Sequence, residues 1–170
     1  MYGLVKMRHV AKTLVTTGVV AGFAMVLSGT ATAAERPFGL GALATAEQIA
    51  GWDIDVRPDG KGAPIGSGTA ADGEEIYAER CASCHGDFGE GVDRWPILAG
   101  GLGSLITDDP VKTVGSYWPY ASTVYDYVYR AMPFGEAQSL THDETYQVVA
   151  YILYMSDVID DEFVLSNETI

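Results

Sequence analysis

At 170 residues the chain is long enough for one domain with a proper core and a modest extension. Its 23 acidic residues against ten basic ones give a net charge of −13, which argues against nucleic acid as a partner, since proteins that bind it carry basic patches. Only two cysteines occur, three positions apart, at Cys81 and Cys84.

The first stretch differs in composition from the rest of the chain. Lys6, Arg8 and Lys12 precede an apolar run from Leu14 to Leu27, and Ala31-Thr32-Ala33 closes it with small residues. This is the layout of a secretory signal peptide over residues 1–33, cut after Ala33 or Ala34. The run is interrupted by Gly18 and Gly22 and is short of the roughly 20 residues a span needs, so no stable membrane insertion is expected after cleavage. The mature chain is expected in the periplasm. It would carry seven basic against 23 acidic residues, a net −16, which serves solubility or steers the protein toward a basic docking surface.

Residues 34–69 are rich in glycine and proline, and only Thr45 to Ala50 reads as a weak helical piece. Yet Phe38, Leu40, Leu43, Ile49, Trp52, Ile54 and Val56 are more apolar than a linker requires. The segment is therefore expected to be an irregular N-terminal extension that docks on a partner.

A domain is expected over 70–160, with 161–170 as a C-terminal tail. Asp72 and Glu75 have the spacing of a capping box, predicting a helix over 73–81 that presents Ile76, Tyr77 and Arg80. Residues 86–104 form a glycine-rich loop. Asp109-Pro110 predicts a short helical turn toward Gly115. A helix should start near Ser122 or Thr123 and stop at Pro133, with Val124, Val128 and Ala131 as its stripe. Thr141 and Glu144 form a second capping box ahead of Tyr146, Val149, Ala150 and Leu153, the clearest helical pattern in the chain. No strand pattern competes, so the fold class is all-α.

Cys81-Ala82-Ser83-Cys84-His85 is a C-x-x-C-H motif, the signature of covalent c-type haem attachment. Two thiols one helical turn apart can each add to a haem vinyl group, and the adjacent histidine is then held beneath the iron. A zinc site would need further Cys or His ligands, and a thioredoxin-type site would follow a strand in a βαβ unit. Neither context is present. The sixth iron ligand is assigned to Met132, in Ala131-Met132-Pro133 at the exit of a predicted helix; Met/His ligation raises the potential. Met155 on the terminal helix and His142 at its start are the rivals. Trp118 and Tyr120 are candidates for hydrogen bonds to the haem propionates, with Arg94 as their charge partner, though ordinary core and surface stacking would also account for the two aromatics.

Gly73 and Tyr77 before the motif, Pro96-Ile97-Leu98 after it, Met132-Pro133 and an aromatic terminal helix together resemble a class I cytochrome c over roughly residues 70–158. The resemblance implies a class I cytochrome c fold around one covalent haem c. It also implies that the His85 ring donates to the Pro96 carbonyl, that Leu98 packs on the haem edge, and that Gly73 and Tyr77 cross Tyr151. A narrower resemblance runs through Arg36-Pro37-Phe38-Gly39-Leu40-Gly41, the stretch from Trp52 to Gly60, Gly66-Ser67-Gly68, His85 to Gly91, and Val114 to Thr123. These segments are similar to the cytochrome subunit (SoxD-like) of Sox-system sulfur dehydrogenases, which accompanies a molybdenum-cofactor subunit related to sulfite oxidase. The best-known members carry two haem domains; this sequence has one motif. The implied function is electron transfer from a molybdenum sulfur or sulfite dehydrogenase partner. The alternatives are a free periplasmic shuttle serving other redox proteins and, against the saturated Met/His iron, a haem enzyme.

Overall fold

The computed structural model describes residue 38 and residues 40–170; the expected signal peptide lies outside the described residues. Residues up to Ala42 belong to a unit of their own, and the fold described here is that of Leu43–Ile170. Its elements are α1 (Ala46–Ala50), β1 (Ser67–Gly68), α2 (Ala70–Arg80), α3 (Ala82–His85), a 3₁₀ turn (Ser104–Ile106), α4 (Val114–Tyr117), α5 (Ala121–Ala131), α6 (His142–Met155) and β2 (Leu165–Ser166). The fold is all-α, as expected, with one two-residue strand pair as its sheet.

Helices α2 and α6 form the frame. At their crossing Gly73 has no side chain because there is no room for one: a β-carbon would overlap the Gln147 carbonyl and stand 3.0 Å from Tyr151 Cβ. Four residues on, Tyr77 meets Tyr151 ring to ring at 5.2 Å. Behind the crossing, Tyr125 and Tyr146 pack at 4.4 Å, both fully buried, with Val148, Val149 and Ile152 completing the core. The aromatic density of the sequence is thus core packing as well as site wall.

Helix α6 starts where the sequence places it, the Thr141 hydroxyl accepting from Glu144 N–H while the Glu144 carboxylate accepts from Thr141 N–H. Helix α2 starts earlier than Asp72 and Glu75 suggest. Thr69 is the cap, and Asp72 is the third helical residue, accepting from the Thr69 N–H at 3.1 Å and hydroxyl at 2.7 Å. Ala70 and Ala71 are good helix formers, so the helix extends back to the first hydroxyl that can close a box. Asp109-Pro110 likewise starts no helix. The Ser104 hydroxyl accepts from Val111 N–H and the Ser116 hydroxyl donates to Val111 O, holding that stretch open, and the box Thr113–Ser116 starts α4 instead.

The larger correction concerns residues 53–69. Their composition reads as an arm separate from the haem domain, but they lie on it. Val56 is only 5% exposed, and its N–H donates to Asp126 of α5 at 2.8 Å. The Ser122 hydroxyl donates to Pro58 O and the Tyr146 hydroxyl to Pro64 O, so helix side chains supply the partners that irregular backbone lacks. Residues 161–170 are not a loose tail either. Ser67 pairs with Ser166 and Gly68 with Leu165, antiparallel, and Leu165 is 1% exposed. Within Leu43–Ile170, what remains of the expected arm is Leu43 to Trp52, including α1, where Trp52 is 89% exposed.

Candidate haem site

The site begins where α2 ends. Cys81 N–H donates to Tyr77 O, and Cys84 and His85 N–H both donate back to Cys81 O, so the motif is one tight turn. The turn stops at Gly86, whose φ of +81° a side chain would resist, and whose carbonyl accepts from the buried Tyr77 hydroxyl at 3.0 Å. The chain then doubles back: Gly91 N–H donates to His85 O and Val92 N–H to Cys84 O. This brings the Pro96 carbonyl to 2.9 Å from His85 Nδ1. A ring whose Nδ1–H donates there presents an unprotonated Nε2, the state in which imidazole is a metal ligand.

Met132 is reached from the other side of the fold. It caps α5 with extended backbone, its N–H donating to Val128 O at 2.9 Å, and a cis bond joins it to Pro133.

Cys81, Cys84, His85, Pro96, Leu98, Trp118 and Met132 all line one cavity of about 400 Å³. Val124, Val128, Val148 and Ile152 form its apolar wall, and no carboxylate lines it, although the chain is strongly acidic. The structure does not bring two of the predicted residues to this wall. Arg94 lies over the Trp95 ring at 4.8 Å, outside the lining, and Tyr120 caps α5 half exposed. Trp95 and Tyr127, two aromatics of the kind expected to wall a haem, line the cavity, and so do Arg80, Lys112 and Phe134, which the sequence reading missed. No spacing rule points to Lys112, which reaches the wall because α4 and its cap come directly after it. The rival ligands are elsewhere: Met155 packs against the core, and His142 Nδ1 is 3.1 Å from the Tyr125 hydroxyl.

The chemistry of the donor set fits haem rather than a bare metal or a thiol redox centre. Among the described residues no three of His, Cys, Asp and Glu gather as a metal cluster. Cys81 and Cys84 are not bonded to each other, and burial pushes the Cys81 thiol up to about 11 against the pull of the Arg80 cation. Such a thiol stays protonated, unlike the lowered thiols of redox motifs. An apolar cavity lined by two thiols and an oriented imidazole is what a covalently held macrocycle requires.

Fold and site together define a haem-binding electron carrier. Residues 70–156 match the family model described as cytochrome c, and the chain belongs to the cytochrome c family. Its cofactor is covalently bound haem c, for which Cys81 and Cys84 are the attachment pair. The chain is similar to one in the crystal structure of the sulfane dehydrogenase SoxCD from Paracoccus pantotrophus, at 58% identity with a TM-score of 0.71, over 76% of this chain and 64% of that one. It is also 34% identical over 92 residues to a thiosulfate dehydrogenase of Stutzerimonas stutzeri (strain A1501), 52% of this chain and 28% of that protein. The chain thus spans about a quarter of the second relative and somewhat under two thirds of the first. No helix among the described residues is long and apolar enough to cross a membrane.

Proposed function

We propose that this cytochrome is the periplasmic haem subunit of a sulfur-oxidising dehydrogenase, accepting electrons from a molybdenum-cofactor partner. The observation that carries the proposal is the 58% identity with a chain of a sulfane dehydrogenase, extending over 76% of this chain and so beyond the haem domain alone. When bound, the haem supplies a one-electron iron couple.

The protein's own residues have separable tasks. Cys81 and Cys84 anchor the macrocycle as thioethers. His85 would hold the iron, its ring kept in place by the bond between Nδ1 and Pro96 O. Met132 would supply a thioether to the same iron, which would favour the reduced state. Val124, Val128, Val148, Ile152 and Leu98 keep water from the site. Lys112 and Trp118 are lining groups with polar atoms that would meet the propionates, in place of Arg94 and Tyr120.

Partner docking falls to Leu43 to Trp52. Leu43, Ile49 and Trp52 are exposed, and burying one such side chain stabilises a complex by roughly 1.5–3 kcal/mol. Affinity purification of the tagged chain from its native host should bring down a molybdoprotein that reduces the haem on addition of a sulfur substrate. Deleting residues 43–52 should abolish that capture with the haem spectrum intact. A chain that elutes alone, or a deletion variant that keeps its partner, overturns the corresponding half of the proposal.

A further inference from the structure

We propose that Arg80 is a positioning residue, a clasp that holds the loop carrying Met132 against the haem-attachment turn. The inference rests on the reading that Met132 ligates the iron. Arg80 is the last residue of α2, directly before Cys81, and its side chain lines the cavity. Its Nη2 donates to Glu136 Oε2 at 3.0 Å and to Ser139 Oγ at 2.8 Å.

Those two acceptors belong to the connection between α5 and α6 that begins with Met132. The other bonds of this loop do not tie it to the haem-attachment side. Glu136 N–H donates to Pro133 O and Ser139 N–H to Glu136 O, both within the loop, while Gln138 N–H donates to Tyr129 O of α5. Such bonds let the loop swing with the end of α5 as a piece. Among the described residues, the polar and ring contacts that reach it from the haem-attachment side are the Arg80 fork and the Trp95–Phe134 ring pair at 5.5 Å. Phe134 is 73% exposed, so that ring pair buries little. The charge-assisted fork is the stronger tie, and it links the element holding the attachment cysteines to the element holding the methionine.

Breaking the fork should let Met132 leave the iron more often. The readout is the rate at which added imidazole binds the oxidised holoprotein, which is limited by departure of the methionine. Arg80→Met and Glu136→Gln should each raise that rate about three- to fivefold, the modest size reflecting an ion pair whose Glu136 end is largely exposed. Arg80→Lys, which can satisfy one acceptor, should fall between, and the double variant should add little to either single change. Reduction potentials separate this role from a simple charge effect. Removing the Arg80 cation lowers the potential and removing the Glu136 anion raises it, whereas both changes accelerate imidazole binding. Rates within twofold of wild type in both variants, or rates that move in opposite directions, would overturn the clasp, as would a lowered melting temperature with rates unchanged. If Arg80→Met fails to load haem, Glu136→Gln and Ser139→Ala, which lie outside the cavity, decide the matter. A wild-type protein without the near-infrared sulfur-to-iron band would defeat the ligand reading and the clasp with it. A wild-type band with unmoved rates defeats the clasp alone.

Discussion

Met132 and Met155 are chemically identical side chains whose surroundings assign them different work. Met132 lines the cavity at the end of α5, while Met155 sits against the core at the end of α6. Met132→His should therefore abolish the weak near-infrared band of the oxidised protein and lower its potential, since imidazole in place of thioether favours ferric iron. Met155→Leu should keep both; a band lost in Met155→Leu and kept in Met132→His would reverse the assignment. Gly73 offers a second test at this scale. Helix propensity alone favours alanine there by about 1 kcal/mol. The added β-carbon, however, would meet the Gln147 carbonyl and Tyr151 Cβ, neither of which can rotate away. Overpacking wins, and Gly73→Ala should cost roughly 1–3 kcal/mol, read as a lowered melting temperature. At the site itself, legibility followed covalent spacing. Cys81, Cys84 and His85 stand in one motif, and the place of Pro96 relative to His85 was implied by family resemblance. Arg80 and Lys112 were invisible as wall residues, because which side chains converge on a cavity depends on how distant turns pack.

The starts of α2 and α6 are set by hydroxyl–carboxylate boxes, and those boxes titrate. Hydrogen bonds from the Thr141 backbone and hydroxyl hold Glu144 below its ordinary 4.5, and those from the Thr69 hydroxyl and backbone hold Asp72 below its ordinary 3.8. A carboxylate whose folded pKa is depressed contributes stability that is fully present above its unfolded value and is lost as pH falls through the folded one. The wild-type urea midpoint should therefore fall more steeply below about pH 4.5 than that of an Asp72→Asn/Glu144→Gln variant, and the gap between them should close as the pH drops further. Curves that stay parallel below that pH would show that the boxes add nothing in their charged form. The same boxes explain what was legible at this scale. Thr141 and Glu144 precede a strong apolar stripe, so α6 is readable from sequence. Thr69 and Thr113 have no such stripe after them, and Asp72 and Asp109-Pro110 offered competing starts that only tertiary contacts resolve. Residues 53–69 failed for a related reason. Glycine and proline forbid a regular element, but their backbone partners are side chains on α5 and α6 far along the sequence, which no local pattern records.

For the whole molecule, the pairing of β1 with β2 has a kinetic consequence. Gly66 N–H reaches the Asn167 side chain across 101 positions, and closing a loop of that length carries a length-dependent entropy cost of about 4 kcal/mol. The meeting of α2 and α6 already closes most of that loop, so the strand pair is expected to form after it, on the descent from the folding barrier rather than the climb. Leu165→Ala should then accelerate unfolding severalfold in stopped-flow chevrons while leaving refolding nearly unchanged. An equal slowing of refolding would place the pair in the nucleus instead. The strand pair thus acts as a latch on lifetime: the amides of residues 56–68 should exchange with deuterium as one cooperative group, ahead of those in α6, whenever it lets go.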